Sequence, residues 1–200
     1  DHPNVQSVLA VGLGCETIQS QELAAKLLAR NVSTQYRIIQ ESGGVEGTVA
    51  AGVAAAQELR AQYPERTVAL SSLTIGIEVG RTVAQLDELE KLLKSEGCSV
   101  VTVRSEGSSA EAFSRLAEAK AHLIISFPDD NQPASGFPLI PVINVAGNGV
   151  LHQAIAGDFD CQEVNLLTEI LTLINNVVAG SQTIAEKNRS GEIRAPRVVR

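Results

Sequence analysis

Short apolar runs that end in glycine-marked turns, alternating with segments of helical periodicity, predict an α/β fold. The expected architecture is a Rossmann-like, doubly wound and mostly parallel sheet with helices on both faces. Two observations support this. About six such runs alternate with about five helical segments, and the chain of 200 residues is long enough to bury a core without disulfide or metal staples. That core is built from Ala, Val, Leu and Ile, because aromatic residues make up 3% of the chain and Trp is absent.

The elements follow in order. Val5 to Val11 reads as a buried strand closed by Gly12-Leu13-Gly14. A helix comes next, with Ser20 as its cap and Leu23, Leu27 and Leu28 on its inner face. Tyr36 to Gln40 is the second strand and ends in Glu41-Ser42-Gly43-Gly44. Val45, Val49, Val53, Ala56 and Leu59 recur at helical spacing, with small residues around them that allow close approach to a sheet. Thr67 to Val79 is strand-rich and stops at Gly80. A capping box from Thr82 to Gln85 precedes Leu86, Leu89, Leu92 and Leu93, with Gly97 at the helix end. Val100 to Val103 is a strand, and a second capping box from Ser108 to Glu111 precedes Phe113 and Leu116. Ala121 to Phe127 returns to strand. After the polar loop from Pro128 to Pro138, Leu139 to Val145 forms the last strand, with its exit at Ala146-Gly147-Asn148-Gly149. Asp160 and Glu163 open a helix striped by Leu167, Ile170, Leu171, Ile174, Val177 and Val178 and stopped at Gly180. Residues 1–180 are expected to form one domain. Residues 181–200, with Arg194, Arg197 and Arg200, are expected to form a polar C-terminal arm.

Charge and composition narrow the function. Sixteen basic against 23 acidic residues give a net charge of −7, which disfavours nucleic acid and anionic membrane as partners. Few aromatics also leave no stacking platform for single strands. No apolar run approaches the roughly 20 residues of a membrane span. Cys15, Cys98 and Cys161 are odd in number and far apart, with no CxxC and no secretory pattern near Asp1, so reduced thiols and a cytoplasmic setting are expected. The chain contains no Met and starts at Asp1, which suggests a segment of a longer polypeptide, its partners being the remaining domains or further copies. What remains is a small-molecule or protein ligand.

In doubly wound sheets ligands bind beyond the carboxyl ends of strands, so the exits after Val11, Gln40, Val79, Phe127 and Val145 are the places to look. Gly12-Leu13-Gly14-Cys15-Glu16-Thr17 lacks the third glycine of a dinucleotide fingerprint and sets an acid where a pyrophosphate would approach, so no nucleotide is expected. A Cys-Glu pair at a strand exit can move a proton or hold a metal, and a tight turn with a buried Cys is the structural alternative. The paired glycines Gly43 and Gly44, beside Gln40 and Glu41, can close backbone amides on a carboxylate. Gly76 to Gly80 offers a similar exit, with a simple turn as its alternative. Asn144 and Asn148 can bind a hydroxylated ligand or cap the next helix. Asp129 and Asp130 read as a solvated loop. His2, His122 and His152 form no HExxH or i, i+4 pair, so a recognisable zinc site is absent, and no GxSxG elbow is present.

His2-Pro3-Asn4-Val5 followed by Val8 to Gln19 (VLAVGLGCETIQ) resembles the altronate/galactarate dehydratase family, which also contains the large subunit of sulfolactate sulfo-lyase. Gly12 to Glu16 and Gln19 match its GLGCE element and the Gln that follows. Ile39 to Gly44 is similar to its Gln…Gly-Gly stretch, and Pro141 to Asn148 to its late strand-and-Asn element. Asp158-Phe159-Asp160 and Ala179-Gly180-Ser181…Glu186 are similar to its C-terminal end. The resemblance implies a lyase that removes water from a sugar acid with the help of Fe(II) or another divalent cation. A small hydroxylated carboxylic acid would be its substrate. Cys15, Glu16 and Glu41 would then be catalytic, and Gly12, Gly14, Gln19, Gln40, Gly43, Gly44, Asn144 and Asn148 would bind substrate. The chain departs from the family where a Cys-Gly-Gly-Ser-Asp signature is replaced by Val79-Gly80-Arg81-Thr82-Val83. It also lacks the Ala-Asn-Pro loop and shortens the later loop to Pro128–Pro138. Such a chain could be inactive alone, take another substrate, or borrow residues from a partner domain. A non-catalytic binding or assembly domain is the competing reading.

Overall fold

The computed structural model describes residues 2–63 and 67–191. The chain gathers into two compact units, one spanning residues 3–67 and the other from 68 onward. Arg194, Arg197 and Arg200 lie outside the described residues. The architecture is α/β and Rossmann-like, and the expected strands are divided between two parallel sheets.

The first unit contains β1 (Ser7–Gly12), α1 (Ser20–Leu28), β2 (Ser33–Ile38) and α2 (Gly44–Ala61). β1 and β2 pair in parallel, from Ser7 opposite Ser33 to Gly12 opposite Ile38, and form a two-stranded sheet of their own. Both helices turn different faces inward than their apolar spacing suggests. α1 buries Ser20 and Ala24, whereas Leu23 and Leu28 are exposed. Ser20 is the first helical residue, and its hydroxyl donates to the Arg37 carbonyl instead of capping. Its Oγ lies 2.9 Å from where a Cβ on Gly12 would stand, so a small residue is needed for this close approach of helix to strand. α2 buries Thr48, Ala55 and Leu59, and Val45, Val49 and Val53 face outward. With no side chain beyond a methyl or hydroxyl at two of the three inner positions, α2 can lie close to the strands, and its bulkier valines are left outside.

The second unit contains β3 (Thr74–Val79), α3 (Leu86–Ser95), β4 (Ser99–Arg104), α4 (Ser109–Glu118) and β5 (Leu123–Phe127). It continues through β6 (Val142–Ala146), α5 (Val150–Ala154), β7 (Cys161–Gln162), α6 (Leu166–Val178) and α7 (Ile184–Lys187). Its sheet runs β4-β3-β5-β6-β7 and every pairing is parallel. Ile75, Ile77 and Val79 share one core with Leu89 and Leu93 of α3 and with Leu166, Ile170 and Ile174 of α6. Ile124 and Val142 share the opposite core with Phe113 and Leu116 of α4, closed by Phe137 and Ile140. Helices thus cover both faces, and every residue of β5 and β6 is buried, including the polar Ser126 and Asn144.

Besides α1, three helix starts differ from expectation. α3 begins at Leu86 after Gln85, with no side-chain cap, because the residues before it are committed elsewhere: the Ala84 amide donates to Glu163. Glu163 therefore belongs to that contact and to Arg81, and Asp160 accepts from the Asn144 and Ile184 amides; α6 starts later, at Leu166. Ser108 does cap α4, but Glu111 pairs with Arg115 rather than closing the box. Within the segment expected as a polar arm, Thr183 and Glu186 form a full capping box on α7.

Glu78 is fully buried in β3 and accepts from three hydroxyls: Ser105 just after β4, Ser109 at the start of α4 (3.2 Å) and Ser126 of β5 (2.8 Å). Replacing the carboxylate leaves those hydroxyls without their acceptor, which is costly in a buried setting. Glu78→Ala is expected to reduce unfolding free energy by about 2–4 kcal/mol, and Glu78→Gln by about 1–2 kcal/mol. Urea titration of the two variants reads this directly. Equal midpoints for both variants and the parent would contradict the assignment.

Candidate functional site

The exits of β1 and β2 lie side by side because the strands are parallel and in register. Here the chain folds back on itself. The Glu16 carboxylate accepts from the Leu13 amide and, at 2.8 Å, from the Gly14 amide, while the Gln19 side-chain amide donates to the Glu16 carbonyl. The Gln40 amide donates to the Leu13 carbonyl at 3.3 Å, tying the two exits together. A Cβ on Gly14 would stand 2.7 Å from Gln40 Oε1, so the Gln40 side chain occupies the space beside that glycine. Gly43 and Gly44 both have positive φ, 77° and 81°, which lets the chain turn from β2 into α2 at low steric cost. Cys15 and Glu41 are exposed, and neither side chain has a hydrogen-bond partner among the described residues.

This geometry sets the charge at the turn. Hydrogen bonds from the Leu13 amide first, and then from Gly14 and Glu16 itself, hold the Glu16 carboxyl below its ordinary value, so it is an anion at neutral pH. The other two cysteines are buried. Burial raises the Cys98 thiol, and burial, then Glu169 and Asp160, pushes Cys161 up to about 12. Of the expected site residues, Gly12, Gly14, Cys15, Glu16, Gln19, Gln40, Glu41, Gly43 and Gly44 are therefore found at one pair of strand exits.

Asn144 and Asn148 lie in the other unit. Asn144 is fully buried, with its side-chain amide bonded to both the amide and the carbonyl of Ser135, so it holds the 128–138 loop to β6. Asn148 is exposed and accepts from Gln153 through its carbonyl; Gly149 takes the cap position of α5.

The strand order of the second unit reverses direction around β3, so its topological switch point lies beyond the carboxyl ends of β3 and β5. Several charged side chains converge there. Arg81, with a side chain only 7% exposed, donates to Glu163 at 2.5 Å and to the Val145 carbonyl at 3.2 Å, and lies over the Phe127 ring. Its Nε is buried without a hydrogen bond, 3.7 Å from Asp130. Gly147 packs so closely that a Cβ would stand 2.5 Å from Asp130 Oδ1 and 2.8 Å from Arg81 Nε. His152 accepts from the Gly147 amide through Nδ1 at 2.8 Å. Its Nε2 is therefore the protonated nitrogen and donates to the Asp129 and Gln132 carbonyls. In the sequence His152 belongs to no metal motif, Arg81 and Glu163 carry no site motif, and Glu78 is marked only as part of the Gly76–Gly80 exit. The clues present were one acid inside an apolar strand and one arginine directly after a glycine exit.

The donors do not assemble a metal centre by themselves. Among the described residues no three His, Cys, Asp or Glu side chains gather as a metal-ion site. At the β1 exit, Glu16 is already engaged by its own turn. The described residues thus offer no ready-made three-donor set for the divalent cation that the resemblance implies.

The fold and the paired exits define a Rossmann-like α/β protein with a carboxylate-anchored turn at its first strand. Residues 1–63 match the family model described as D-galactarate dehydratase/altronate hydrolase, second domain. That stretch contains the Gly12–Glu16 and Gln40–Gly44 elements, and the match stops before the second unit begins. No curated protein matches the chain. No solved structure matches it either. No helix among the described residues is long and apolar enough to cross a membrane.

Two measurements test the site geometry. Because the Glu16 pKa is lowered by folding, the stabilisation it gives is present above the ordinary carboxylate value and lost as pH falls through the folded value. Amide hydrogen exchange at Leu13 and Gly14 should then accelerate on acidification, relative to intrinsic rates, and Glu16→Gln should show faster exchange already at neutral pH. Alkylation of the native protein with iodoacetamide at pH 8 should modify Cys15 and spare Cys98 and Cys161; equal modification of all three thiols would contradict the burial.

Proposed function

We propose that this chain is a sugar-acid-binding domain related to the altronate/galactarate dehydratases, with its ligand site at the exits of β1 and β2. The observation that carries the reading is the anchored turn: Glu16, fixed by the Leu13 and Gly14 amides, sits beside an exposed Cys15 and next to the Gln40–Gly44 turn. An anionic Glu16 keeps the loop in one shape and repels a carboxylate from that spot. The acid group of the ligand then faces the Gly43 amide, the Gly44 amide being engaged by the Ile39 carbonyl at 3.1 Å, and its hydroxyls face Gln40 and the β1 exit. Cys15 and Glu41, with no hydrogen-bond partner among the described residues, are free to move a proton; Glu16 acts as the positioning residue.

Dehydration of a hydroxy acid needs a proton taken from beside the carboxylate and another given to the departing hydroxide. Without a cation to stabilise the enediolate the first step is slow. The described residues gather no three-donor set, so the role proposed for this chain is binding, with donors for a cation brought by another domain or copy. This favours the binding role over autonomous catalysis.

The test is calorimetric titration with altronate and galactarate, paired with an anaerobic dehydration assay in added Fe(II). Binding without turnover is expected. Gln40→Ala and Glu41→Gln should each weaken binding by about tenfold, the equivalent of roughly 1.4 kcal/mol. Absence of binding to any aldonate or aldarate, or binding unchanged in both variants, would remove the proposal.

A further inference from the structure

Helix α2 carries an apolar face that nothing in its own unit covers. Val45, Val49 and Val53 are 68%, 60% and 53% exposed, while the helix packs inward through Thr48, Ala55 and Leu59. From Gly47 to Ala56 no residue is charged. Glu46, Val53 and Arg60 follow at seven-residue spacing and so lie along one line of the helix, with Val49 and Ala56 between them. Glu46 and Arg60 are exposed, and neither has an ion-pair partner among the described residues.

A helix with an acid in its first turn and a base in its last turn, on one apolar line, is complementary to itself when reversed. We propose that α2 is the contact surface of a homodimer, in which two copies of the helix pack antiparallel about a two-fold axis at Val53. That register sets Glu46 of each copy against Arg60 of the other, twice by symmetry, and brings the two Val53 side chains together on the axis. Ala50 and Ala56, small and opposite one another in this register, let the helices approach closely. A parallel pairing would instead oppose Glu46 to Glu46 and Arg60 to Arg60 and is disfavoured. The helix has 18 residues and is about 27 Å long, which places the contact at the small end of specific interfaces. The association is accordingly modest, with a dissociation constant on the order of 10–100 µM.

The test uses the full chain in sedimentation velocity from about 5 to 500 µM and in disulfide trapping with oxidised glutathione, with Cys15→Ser in every trapped variant. The expected result is a concentration-dependent dimer. Val53→Cys should crosslink across the axis and Val45→Cys should not. Glu46→Arg and Arg60→Glu should each weaken association about tenfold, and the double charge swap should restore it. Because both charged positions are exposed, their variants keep the fold, which far-UV circular dichroism confirms. A monomer at every concentration would overturn the proposal. So would association that survives Val53→Glu, efficient crosslinking at Val45, or a double swap no better than either single change.

Discussion

A carboxylate with no solvent contact organises the second unit. Glu78 lies near the carboxyl end of β3, between β4 and β5 of a five-stranded parallel sheet, and its side-chain partners among the described residues are hydroxyls delivered by the turn after β4, by the first residue of α4 and by β5. A buried carboxylate is tolerated only when its oxygens are satisfied, so these three segments must all arrive together. The helix that covers one face of the sheet and the strands on either side of β3 are thereby locked into one arrangement. A hydrophobic residue at this point would permit several packings of the same apolar layers; the acid permits one.

The same economy governs the loops above the switch point. Arg81 reaches from the β3 exit to Glu163 and to the Val145 carbonyl within β6, and Asn144 and His152 hold the 128–138 loop through its backbone. Asp160 ties β6 to α7 through two backbone amides, and burial raises its carboxyl above the usual range. Polar groups at this end of the sheet are spent on holding loops in place. By contrast, the exits of β1 and β2 keep Cys15 and Glu41 exposed and without a hydrogen-bond partner among the described residues, and this stretch matches the family model described as D-galactarate dehydratase/altronate hydrolase, second domain.

The amphipathic logic that worked for α3, α4 and α6 failed for α1 and α2. In the former, Leu, Phe and Ile at helical spacing turn inward against the sheet and are buried. In the latter, Ser20, Ala24, Thr48 and Ala55 take inward positions beside Leu59, and where α1 meets Gly12 only a small group such as Ser20 fits. Valine spacing by itself cannot tell which neighbour is nearer. It marks an apolar face without saying whether that face meets its own sheet or something outside the unit.

By itself the sequence determined the order of the elements from β1 to β6, the parallel α/β class and the strand exits. These depend on local properties: runs of apolar residues, glycines at positive φ such as Gly43 and Gly44, and caps such as Ser108. It also located the turn of residues 12–16, because all the parts of that turn lie within a few residues of one another. Only the tertiary structure decided that Glu78 is a buried anchor, that Arg81 pairs with Glu163 eighty-two positions away, and that the strands divide into two sheets. The physical reason is common to all three. Each depends on contacts between segments distant in the chain, where burial of one group is made tolerable only by the arrival of another, and no local pattern records that partnership.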